Sequence, residues 1–571
     1  MALSIFDFFA PTPKSEQQQL DARRRQYRYK APQDNLFAPI AMLDKLPRRE
    51  DHKLEWIAPY MPRYLAIAAW GQLAKLSENV QRATFRFDKF EAFRELFGPN
   101  LPTFAEEALT DQAFGYRRIA GGNPILIEQQ RDLEAVRKKI PLDVDRVQEW
   151  LEEHRPHHWV GSTDVAKAAA EGRLFVADYE LIQRALPSGE SRDSRWRGRY
   201  AAAPIAVLIE APGFYGATDM VPIAIQIDQP QPDGDYNPVY YPDDDWGWQT
   251  AKLYVEAADA SHHLGCGHIQ RCHLMMEAFC IATPRQLPES HCVYKLLYPH
   301  MQFTLTTNVS VYQYFSDRSK LYFEFYSGNL EELRQITVQG YESSTFRGLQ
   351  IDREIESRGV TDAPAVYPYR DDSVRYWKPI HRFISRYVDI HYRDDRAVRD
   401  DARLQGWIEE LQDPHRAALK DLVEDGRMDS RAKLKDLLTQ VLFIAGPGHA
   451  AMHFAGYFYY RFSPAAPSTN LMPPPDAAED GTRARYLRTL PTIRMGRDQW
   501  VNSTQALWRF GRFGHYDGYP LGHEGGEVDA AILQFQADLE KVEHEISKEL
   551  RTRPYRYDFL LPSNVPNSIN L

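Results

Sequence analysis

The spacing of apolar residues along the chain predicts a mainly helical protein. Apolar side chains recur at helical intervals among charged ones in residues 64–76, 87–96 and 128–136, which indicates helices in the first part of the chain. Helical patterns dominate again from Trp248 onward, and a further one covers residues 528–551. We therefore expect helices to form most of the fold.

Short segments of other kinds interrupt this pattern. Residues 202–209 and 220–227 are rich in alanine, valine and isoleucine and are bounded by proline and glycine, which predicts strands. Residues 229–245 are rich in proline and aspartate, and residues 463–482 contain five prolines, so both are expected to be loops. No long linker divides the chain, so the sequence predicts one large helical domain with a small β region.

Composition and charge exclude several classes of protein. The 571 residues carry 69 basic and 79 acidic side chains, and a net charge of −10 argues against a nucleic-acid partner. A content of 43% hydrophobic residues is typical of a globular chain. There is no apolar run of the roughly 18 residues that a transmembrane helix needs. The basic cluster Arg23–Arg25 follows the apolar N-terminus, the reverse of a signal peptide, so we expect a cytoplasmic location.

The cysteines do not form a recognisable metal or disulfide pattern. Cys266, Cys272, Cys280 and Cys292 are spaced by six, eight and twelve residues, whereas zinc-binding cysteines favour separations of about three to five. We expect buried, reduced side chains that act as small apolar residues, and a thiolate zinc site stays open as the alternative.

Histidines are concentrated in one part of the chain. Six of the 18 lie within 39 positions, and among them His263, His268 and His273 recur every five residues. Five residues turn an ordinary helix by about 500°, which leaves successive histidines about 140° apart. A π-helical turn places residues five apart nearly in line, so His263 and His268 can then share one metal ion. Without such a turn, the histidines are unrelated residues of a surface helix.

A second pair, His449 and His453, is four residues apart and shares one face of a helix. Ala450 stands where a zinc protease carries glutamate, so that class is not predicted. Residues 446–448 read Gly-Pro-Gly, and we expect the helix to start or kink there. Four imidazoles without thiolates suit a divalent metal such as iron, provided that an anionic oxygen ligand completes the site.

These histidines belong to a longer ordered pattern that resembles the lipoxygenase family. The matching segments are 120–124, 248–252, 263–273, 277–287, 294–300, 449–453 and 565–571. The resemblance covers nearly the whole chain and leaves no room for the N-terminal lipid-binding β-sandwich of many relatives, so the bacterial type is expected. It implies the helical lipoxygenase fold, with a π-bulged metal-binding helix.

The resemblance also implies an activity and a metal site. The expected activity is that of a non-haem iron dioxygenase, which abstracts a hydrogen atom from a bis-allylic carbon of a polyunsaturated fatty acid such as linoleate and adds O2. The products are the hydroperoxides of oxylipin biosynthesis. One iron, with manganese as the alternative, is expected to be bound by His263, His268, His449, His453 and the terminal carboxylate of Leu571.

Other residues receive supporting roles from the same resemblance. His273 is expected to lie beside the ligands without binding the metal, and Thr306 and Leu264 are expected to line the substrate channel. Thr306 stands where relatives carry alanine or glycine, and its bulk, nearer to that of alanine, favours S-type products; an ordinary packed threonine stays open as the alternative. No catalytic side chain is expected beyond the metal centre.

Three questions stay open at this point. Residues 1–45 are interpreted as an N-terminal arm that precedes a catalytic domain over 46–571, and its apolar residues Ile5, Phe6, Phe8 and Phe9 either contact a membrane peripherally or pack on the protein itself. The chain is expected to be a monomer. A zinc hydrolase and a non-catalytic lipid-binding member of the fold are the alternative functions.

Overall fold

The computed structural model describes most of the chain. The described residues are 15–83, 89–98, 101–157, 161–185, 195–196, 198–211, 213, 220–230, 237–316, 326–475, 481–519, 521 and 526–571. The four residues Ile5, Phe6, Phe8 and Phe9 of the N-terminal arm lie outside them. No helix within these ranges is long and apolar enough to cross a lipid bilayer.

The first part of the chain contains helices and a small sheet. The helices are α1 (Glu16–Gln26), α2 (Leu54–Ala83), α3 (Lys89–Arg94), α4 (Thr103–Glu106), α5 (Asp111–Ala120), α6 (Leu133–Lys139), α7 (Val144–His154), α8 (Val165–Ala170) and α9 (Glu180–Ala185). The strands are β1 (Ile127–Gln130), β2 (Leu174–Asp178), β3 (Arg195–Trp196), β4 (Arg199–Tyr200), β5 (Ile205–Glu210), β6 (Met220–Gln226) and β7 (Val239–Tyr240).

The second part is helical throughout its regular structure, apart from short 3₁₀ turns. It contains α10 (Trp246–His262), a π-helix π1 (His263–Leu274), α11 (Met275–Gln286), α12 (Cys292–Met301), α13 (Thr304–Ser316), α14 (Leu330–Glu342), α15 (Ile351–Ser357), α16 (Pro368–His391), α17 (Asp395–Asp400), α18 (Ala402–Gln412), α19 (Arg431–Phe443), a second π-helix π2 (Ile444–Gly448), α20 (His449–Tyr460), α21 (Arg483–Thr489), α22 (Ile493–Gln505) and α23 (Gly526–Glu549).

The five-stranded sheet packs between two groups of helices, one on each of its faces. Its order is β1-β2-β5-β6-β7, with antiparallel neighbours, and β3 and β4 form a separate hairpin. Because successive side chains of a strand point to opposite faces, Val207 of β5 packs in the core beneath α6 to α8, while Leu208 faces the main helical core. This double burial explains the continuous apolar runs in the sequence.

Helix α10 lies in the main core and is buried around almost its whole circumference. Its charged residues are paired, as burial requires. Glu256 binds Arg117 at 2.9 Å and Arg118 at 2.8 Å, and Lys252 binds Asp111 at 2.8 Å. These pairs tie α10 to α5 and fix the helix that continues directly into π1.

Two π-helical segments pass through the centre of the molecule. The first, π1, continues α10 without a break and carries the five-residue histidine repeat. The second, π2, joins α19 to α20 through Pro447. The sequence analysis expected a helix to start or kink at the Gly-Pro-Gly segment. The structure shows no start there, because π2 connects α19 and α20 without a break. The i→i+5 geometry instead gives room for a proline that an α-helix tolerates poorly.

The structure confirms the predicted fold class, a mainly helical domain with a small sheet and a π-bulged helix. The two predicted strands are found as β5 and β6, and the C-terminal helix is found as α23. Residues 463–475 and 481–482 contain no helix, as expected for that loop. The prediction of one helix over 128–136 is wrong, because β1 occupies its first part and α6 its second. Cys272 and Cys280 are buried, and all four cysteines are free.

The described part of the predicted arm packs on the body of the protein. Leu20 of α1 and Phe37 are fully buried, and the Leu43 amide donates a hydrogen bond of 2.7 Å to Glu277 of α11. Whether residues 1–45 form a separate unit stays a prediction.

Helices π1 and α20 approach so closely that their contact requires glycine. A Cβ added to Gly456 would lie 2.6 Å from Cε1 of His263, and one added to Gly122 would lie 2.7 Å from Cα of Gly456. The sequence segment 120–124 therefore contributes a close backbone contact to the centre of the fold.

Replacing Gly456 by alanine is expected to destabilise the protein by about 1–3 kcal/mol, because the buried His263 ring leaves no room for a methyl group. Chemical denaturation measures this change. Gly267→Ala is the matched control, because its Cβ would meet neighbours at an ordinary 3.4 Å. Equal stability of the two variants would contradict the prediction.

Candidate metal centre

Four buried histidines bring their ring nitrogens together between π1 and α20. The ligand atoms of His268, His273, His449 and His453 all lie within 4.8 Å of one another. Nε2 of His268 lies 3.1 Å from Nε2 of His273. The same atom lies 3.2 Å from Nε2 of His449 and 3.1 Å from Nδ1 of His453. Ligands about 2.1 Å from one ion and at right angles to each other are about 3 Å apart, so the four nitrogens fit a shared metal.

Burial keeps these imidazoles neutral at physiological pH. Removal from water lowers the pKa of His273 to about 4 and the pKa of His453 to about 3. Burial, with the neighbouring histidines as the next cause, lowers the pKa values of His268 and His449 well below the usual range. A neutral imidazole offers a free lone pair, and metal binding requires that form.

Hydrogen bonds on the far side of two rings select the nitrogen that faces the centre. Nε2 of His453 donates to the carbonyl of Ala506 at 2.7 Å, so its Nδ1 carries the lone pair. Nδ1 of His273 donates to Oδ1 of Asn308 at 2.7 Å, so its Nε2 carries the lone pair. Partners of this kind fix the tautomer and the orientation of a metal-binding histidine.

The orientation of Asn308 is itself fixed by buried partners. Its Nδ2 donates to Oε2 of Glu277 at 2.7 Å and to the carbonyl of His273 at 3.1 Å. The hydroxyl of Tyr312 donates to the same carboxylate oxygen at 2.8 Å. Asn308 can therefore present only its oxygen to the imidazole ring of His273. Through Glu277 of α11 and Tyr312 of α13, the network extends the support of this ring to two further helices.

Replacing Asn308 by alanine is expected to weaken metal binding by about 10- to 100-fold, because His273 loses the partner that fixes its tautomer. Competition with a chelator measures the affinity. Ser310→Ala is the matched control, since Ser310 lies on the same helix and lines the same cavity but donates to the carbonyl of Thr306. An unchanged affinity in Asn308→Ala would show that the network does not support the centre.

The histidine cluster lies beside a cavity of about 380 Å³. Its wall includes three of the clustered histidines, His268, His273 and His453, and two apolar residues of π1, Leu264 and Ile269. Among the described residues that line it, none is an aspartate, glutamate, lysine or arginine. The cavity therefore suits a largely apolar part of a ligand next to the cluster.

The C-terminal segment places Leu571 in the wall of the same cavity. Side chains before it anchor the backbone: Asn570 donates to the carbonyl of Phe510 at 3.0 Å, and Ser568 donates to that of Gln302 at 2.8 Å. His300 donates from Nδ1 to the carbonyl of Asn567 at 2.8 Å. The last residue is thus held beside the histidines by a hydrogen-bonded backbone.

The structure differs from the sequence prediction in the histidines that it brings together. His263 lies outside the cluster: its Nε2 donates to the carbonyl of Met452 at 3.1 Å, and its ring stacks on His268 with centroids 5.4 Å apart. His273, expected to lie beside the ligands, supplies a nitrogen to the cluster instead. His449 and His453 both approach His268, the second histidine of the repeat, and His449 also lies beside His273.

Only one of the two residues that were expected to line the substrate channel lines the cavity. Leu264 lines the cavity, whereas Thr306 is buried and is not among the described residues that line it. The adjacent Thr307 and Asn308 do line it. The expectation of S-type products therefore depends on the sequence resemblance alone.

Sequence reasoning missed the support of His273 by Asn308 and Glu277. The five-residue repeat identified three candidate histidines, but spacing within one helix does not reveal which of its residues a second helix will contact. Asn308 lies 35 positions after His273, so no local pattern connects them.

Known proteins resemble this chain in both sequence and structure. The Lipoxygenase family model matches residues 70–495, which is more than half of the chain. The linoleate 9/13-lipoxygenase of Pseudomonas aeruginosa is 29% identical over 520 residues, covering 87% of this chain and 72% of the relative. The polyunsaturated fatty acid lipoxygenase ALOX12 of Homo sapiens is 28% identical over 516 residues, covering 88% and 73%.

A solved structure of a calcium-dependent 11R-lipoxygenase superposes with a TM-score of 0.82 at 25% identity, covering 97% of this chain and 80% of that one. The fold, the histidine cluster and the family match thus agree, and the chain belongs to the lipoxygenase family of fatty acid dioxygenases.

Proposed function

We propose that this protein is a non-haem iron dioxygenase that converts polyunsaturated fatty acids into hydroperoxides. The observation that carries the proposal is the convergence of four neutral imidazoles, three of which line a cavity with no charged side chain among its described residues. One iron is bound by His268, His273, His449 and His453, and the terminal carboxylate of Leu571 supplies the oxygen ligand. Manganese is the alternative metal.

The bound metal supplies the one-electron chemistry by which a bis-allylic carbon loses a hydrogen atom and the resulting substrate radical takes up O2. The chain itself has three tasks. Asn308 and the Ala506 carbonyl hold two of the imidazoles in position, the cavity wall holds the acyl chain beside them, and Leu571 supplies the anionic ligand. Overall, one O2 combines with one fatty acid to give one hydroperoxide.

The family match, rather than the donor set, favours this chemistry over zinc-dependent hydrolysis. Imidazole and carboxylate ligands suit iron, manganese and zinc alike, so the ligands do not decide. Hydrolysis also needs a general base beside the bound water. Among the described residues that line the cavity, no side-chain carboxylate is present, and His52 is the one imidazole outside the cluster that could act as that base.

The size of the cavity and the named relatives indicate which substrate to test first. A volume of about 380 Å³ is within the usual range for a small-molecule site. The Pseudomonas relative is named for linoleate, and we propose linoleate as the first substrate for this protein as well. The cytoplasmic location and the monomeric state of the protein described here stay predictions.

Metal analysis followed by an oxygen-uptake assay tests the proposal. We expect close to one iron per chain, and with linoleate an O2 uptake that equals the amount of conjugated hydroperoxide formed. Chiral chromatography of the products then shows whether S-type oxygenation is correct. A zinc-loaded protein that hydrolyses esters without consuming O2 would refute the proposal, as would an iron-loaded protein that only binds fatty acids.

A further inference from the structure

Four arginines from four separate segments gather beside helix α20. Arg63 belongs to α2, Arg461 directly follows α20, Arg509 follows α22, and Arg556 lies in the C-terminal segment. Burial lowers the pKa of Arg461 to about 10 and also lowers the pKa of Arg509. The positive charges of Arg556 and Arg63 shift both pKa values in the same direction. The guanidinium groups are therefore close enough to repel one another, and we call the four residues the arginine cluster.

Two aromatic rings of α20 place two of these guanidinium groups side by side. Cζ of Arg509 lies 4.3 Å from the ring centroid of Phe454. Cζ of Arg461 lies 4.6 Å from the ring centroid of Phe458. The two rings are four residues apart, so they share one face of α20 and are separated by about 6 Å along its axis. The two positive charges thus lie about one helical turn apart, and an aromatic face attracts a cation without compensating its charge.

Carboxylates do not balance the charge of the arginine cluster. Arg556 is exposed and pairs with Asp558. The other three members, Arg63, Arg461 and Arg509, are half-buried and form no ion pair within the described part of the chain. Four arginines against one aspartate leave three positive charges uncompensated. Because a partly buried cation is costly without an anion, the cluster calls for a negatively charged partner from outside the chain.

Two guanidinium nitrogens of the cluster also lack a hydrogen-bond acceptor. Arg63 donates from Nη2 to the carbonyl of Thr504 at 3.2 Å, and Arg461 donates from Nε to the carbonyl of Phe458 at 3.2 Å. The Nε atoms of Arg63 and Arg509 are buried and have no partner among the described residues. Carbonyl groups accept hydrogen bonds but carry no net charge. An oxyanion would supply both the missing acceptors and the missing negative charge.

We propose that the arginine cluster binds a phosphate group, either as the free ion or as part of a soluble phosphomonoester. The planar donor fork of arginine matches the oxygens of phosphate, and a dianion compensates two of the three surplus charges, whereas a carboxylate compensates one. None of the four arginines is among the described residues that line the cavity, so the substrate in that cavity is not the expected occupant. The proposal does not rest on the proposed function.

The position of the cluster gives such a phosphate a structural effect. Arg461 directly follows the helix that carries His449 and His453, and Arg556 lies on the segment that ends at Leu571. A phosphate bound by the cluster would link this helix to α2 and to the C-terminal segment. We therefore expect the stability of the scaffold around the metal centre to increase with the phosphate concentration.

Equilibrium dialysis with labelled inorganic phosphate tests the site on the full-length protein. We expect a single bound phosphate per chain at low ionic strength. The double variant Arg461→Gln/Arg509→Gln is expected to bind phosphate at least about tenfold more weakly, because it loses two charge-assisted contacts. Arg556→Gln changes an exposed side chain whose loss should not prevent folding, and we expect binding at least about threefold weaker.

A control variant separates the site from a general effect of net charge. Arg393 and Arg396 are 84% and 75% exposed, and each pairs with a neighbouring aspartate outside the arginine cluster. The double variant Arg393→Gln/Arg396→Gln removes the same two charges as Arg461→Gln/Arg509→Gln. It should bind phosphate as the wild type does.

Thermal melting distinguishes a binding site from arginines that only support the fold. Replacing chloride by phosphate at equal ionic strength should raise the Tm of the wild type by at least about 2 °C, because the ligand binds only the folded state. The variant Arg461→Gln/Arg509→Gln should show no such rise. Arginines with a purely structural role would lower the Tm in both buffers and leave the effect of phosphate unchanged.

Competition experiments identify the form in which the phosphate arrives. Displacement of labelled phosphate by glycerol 3-phosphate at lower concentration than by unlabelled phosphate would indicate a phosphomonoester, and the reverse order would indicate the free ion. Three results would overturn the proposal: no phosphate bound to the wild type, equal binding by the wild type and Arg461→Gln/Arg509→Gln, or displacement by octanoate as effective as that by phosphate. The last result would make the cluster a carboxylate site.

Discussion

His273→Ala is expected to abolish iron binding and to lower kcat/KM on linoleate by at least about a thousandfold, while His263→Gln retains both. The two histidines belong to the same five-residue repeat, and the sequence resemblance assigned the metal to His263. The structure brings Nε2 of His273 to 3.1 Å from Nε2 of His268, whereas Nε2 of His263 is bound to the carbonyl of Met452. Only His273 therefore offers its lone pair to the cluster.

The pair of variants separates a ligand from a buried neighbour. Both histidines are almost fully buried, so each substitution carries a cost in stability that thermal melting measures. Glutamine at position 263 can still donate to Met452, which limits that cost. Elemental analysis of folded protein is the deciding measurement. Iron retained in His273→Ala, or lost in a folded His263→Gln, would restore the assignment made from the sequence.

The difference between the two assignments shows what a helical repeat can and cannot predict. Spacing by five residues correctly indicated a π-helix, because only that geometry aligns the three rings. It could not identify which two of these rings meet the histidines of α20, since this depends on where α20 crosses π1. That crossing is fixed by contacts between distant segments, such as the approach of Gly456 to His263 and of Gly122 to Gly456.

The same limit explains the other differences between prediction and structure. Long helices such as α10 and α23 follow from local periodicity, and they were predicted. Strand β1 lies within a segment of helical pattern, and it is a strand because it pairs with β2 about 45 positions away. A helix was expected to start or kink at the Gly-Pro-Gly segment; the widened turn of π2 keeps α19 and α20 continuous, so no helix starts there, and a kink stays a prediction. A long-range contact thus decided the case of β1.

Adding residues after Leu571 is expected to abolish metal loading and dioxygenase activity without unfolding the protein. Leu571 lines the cavity together with three of the clustered histidines, and the preceding backbone is anchored by Asn570 and Ser568. A Gly-Ser extension would convert the terminal carboxylate into an amide and place further atoms in the cavity. The site would lose its anionic ligand, and we expect at least about a thousandfold loss of activity.

Leu571→Ala is the matched control for this extension, because it removes the side chain and keeps the main-chain carboxylate. It should bind iron in wild-type amount, with a smaller change in kcat/KM. An extended protein with full iron content and activity would show that the carboxylate is not a ligand. If Leu571→Ala lost iron as completely as the extended protein, packing of the leucine side chain in the cavity wall would explain both results, and the carboxylate would have no special role.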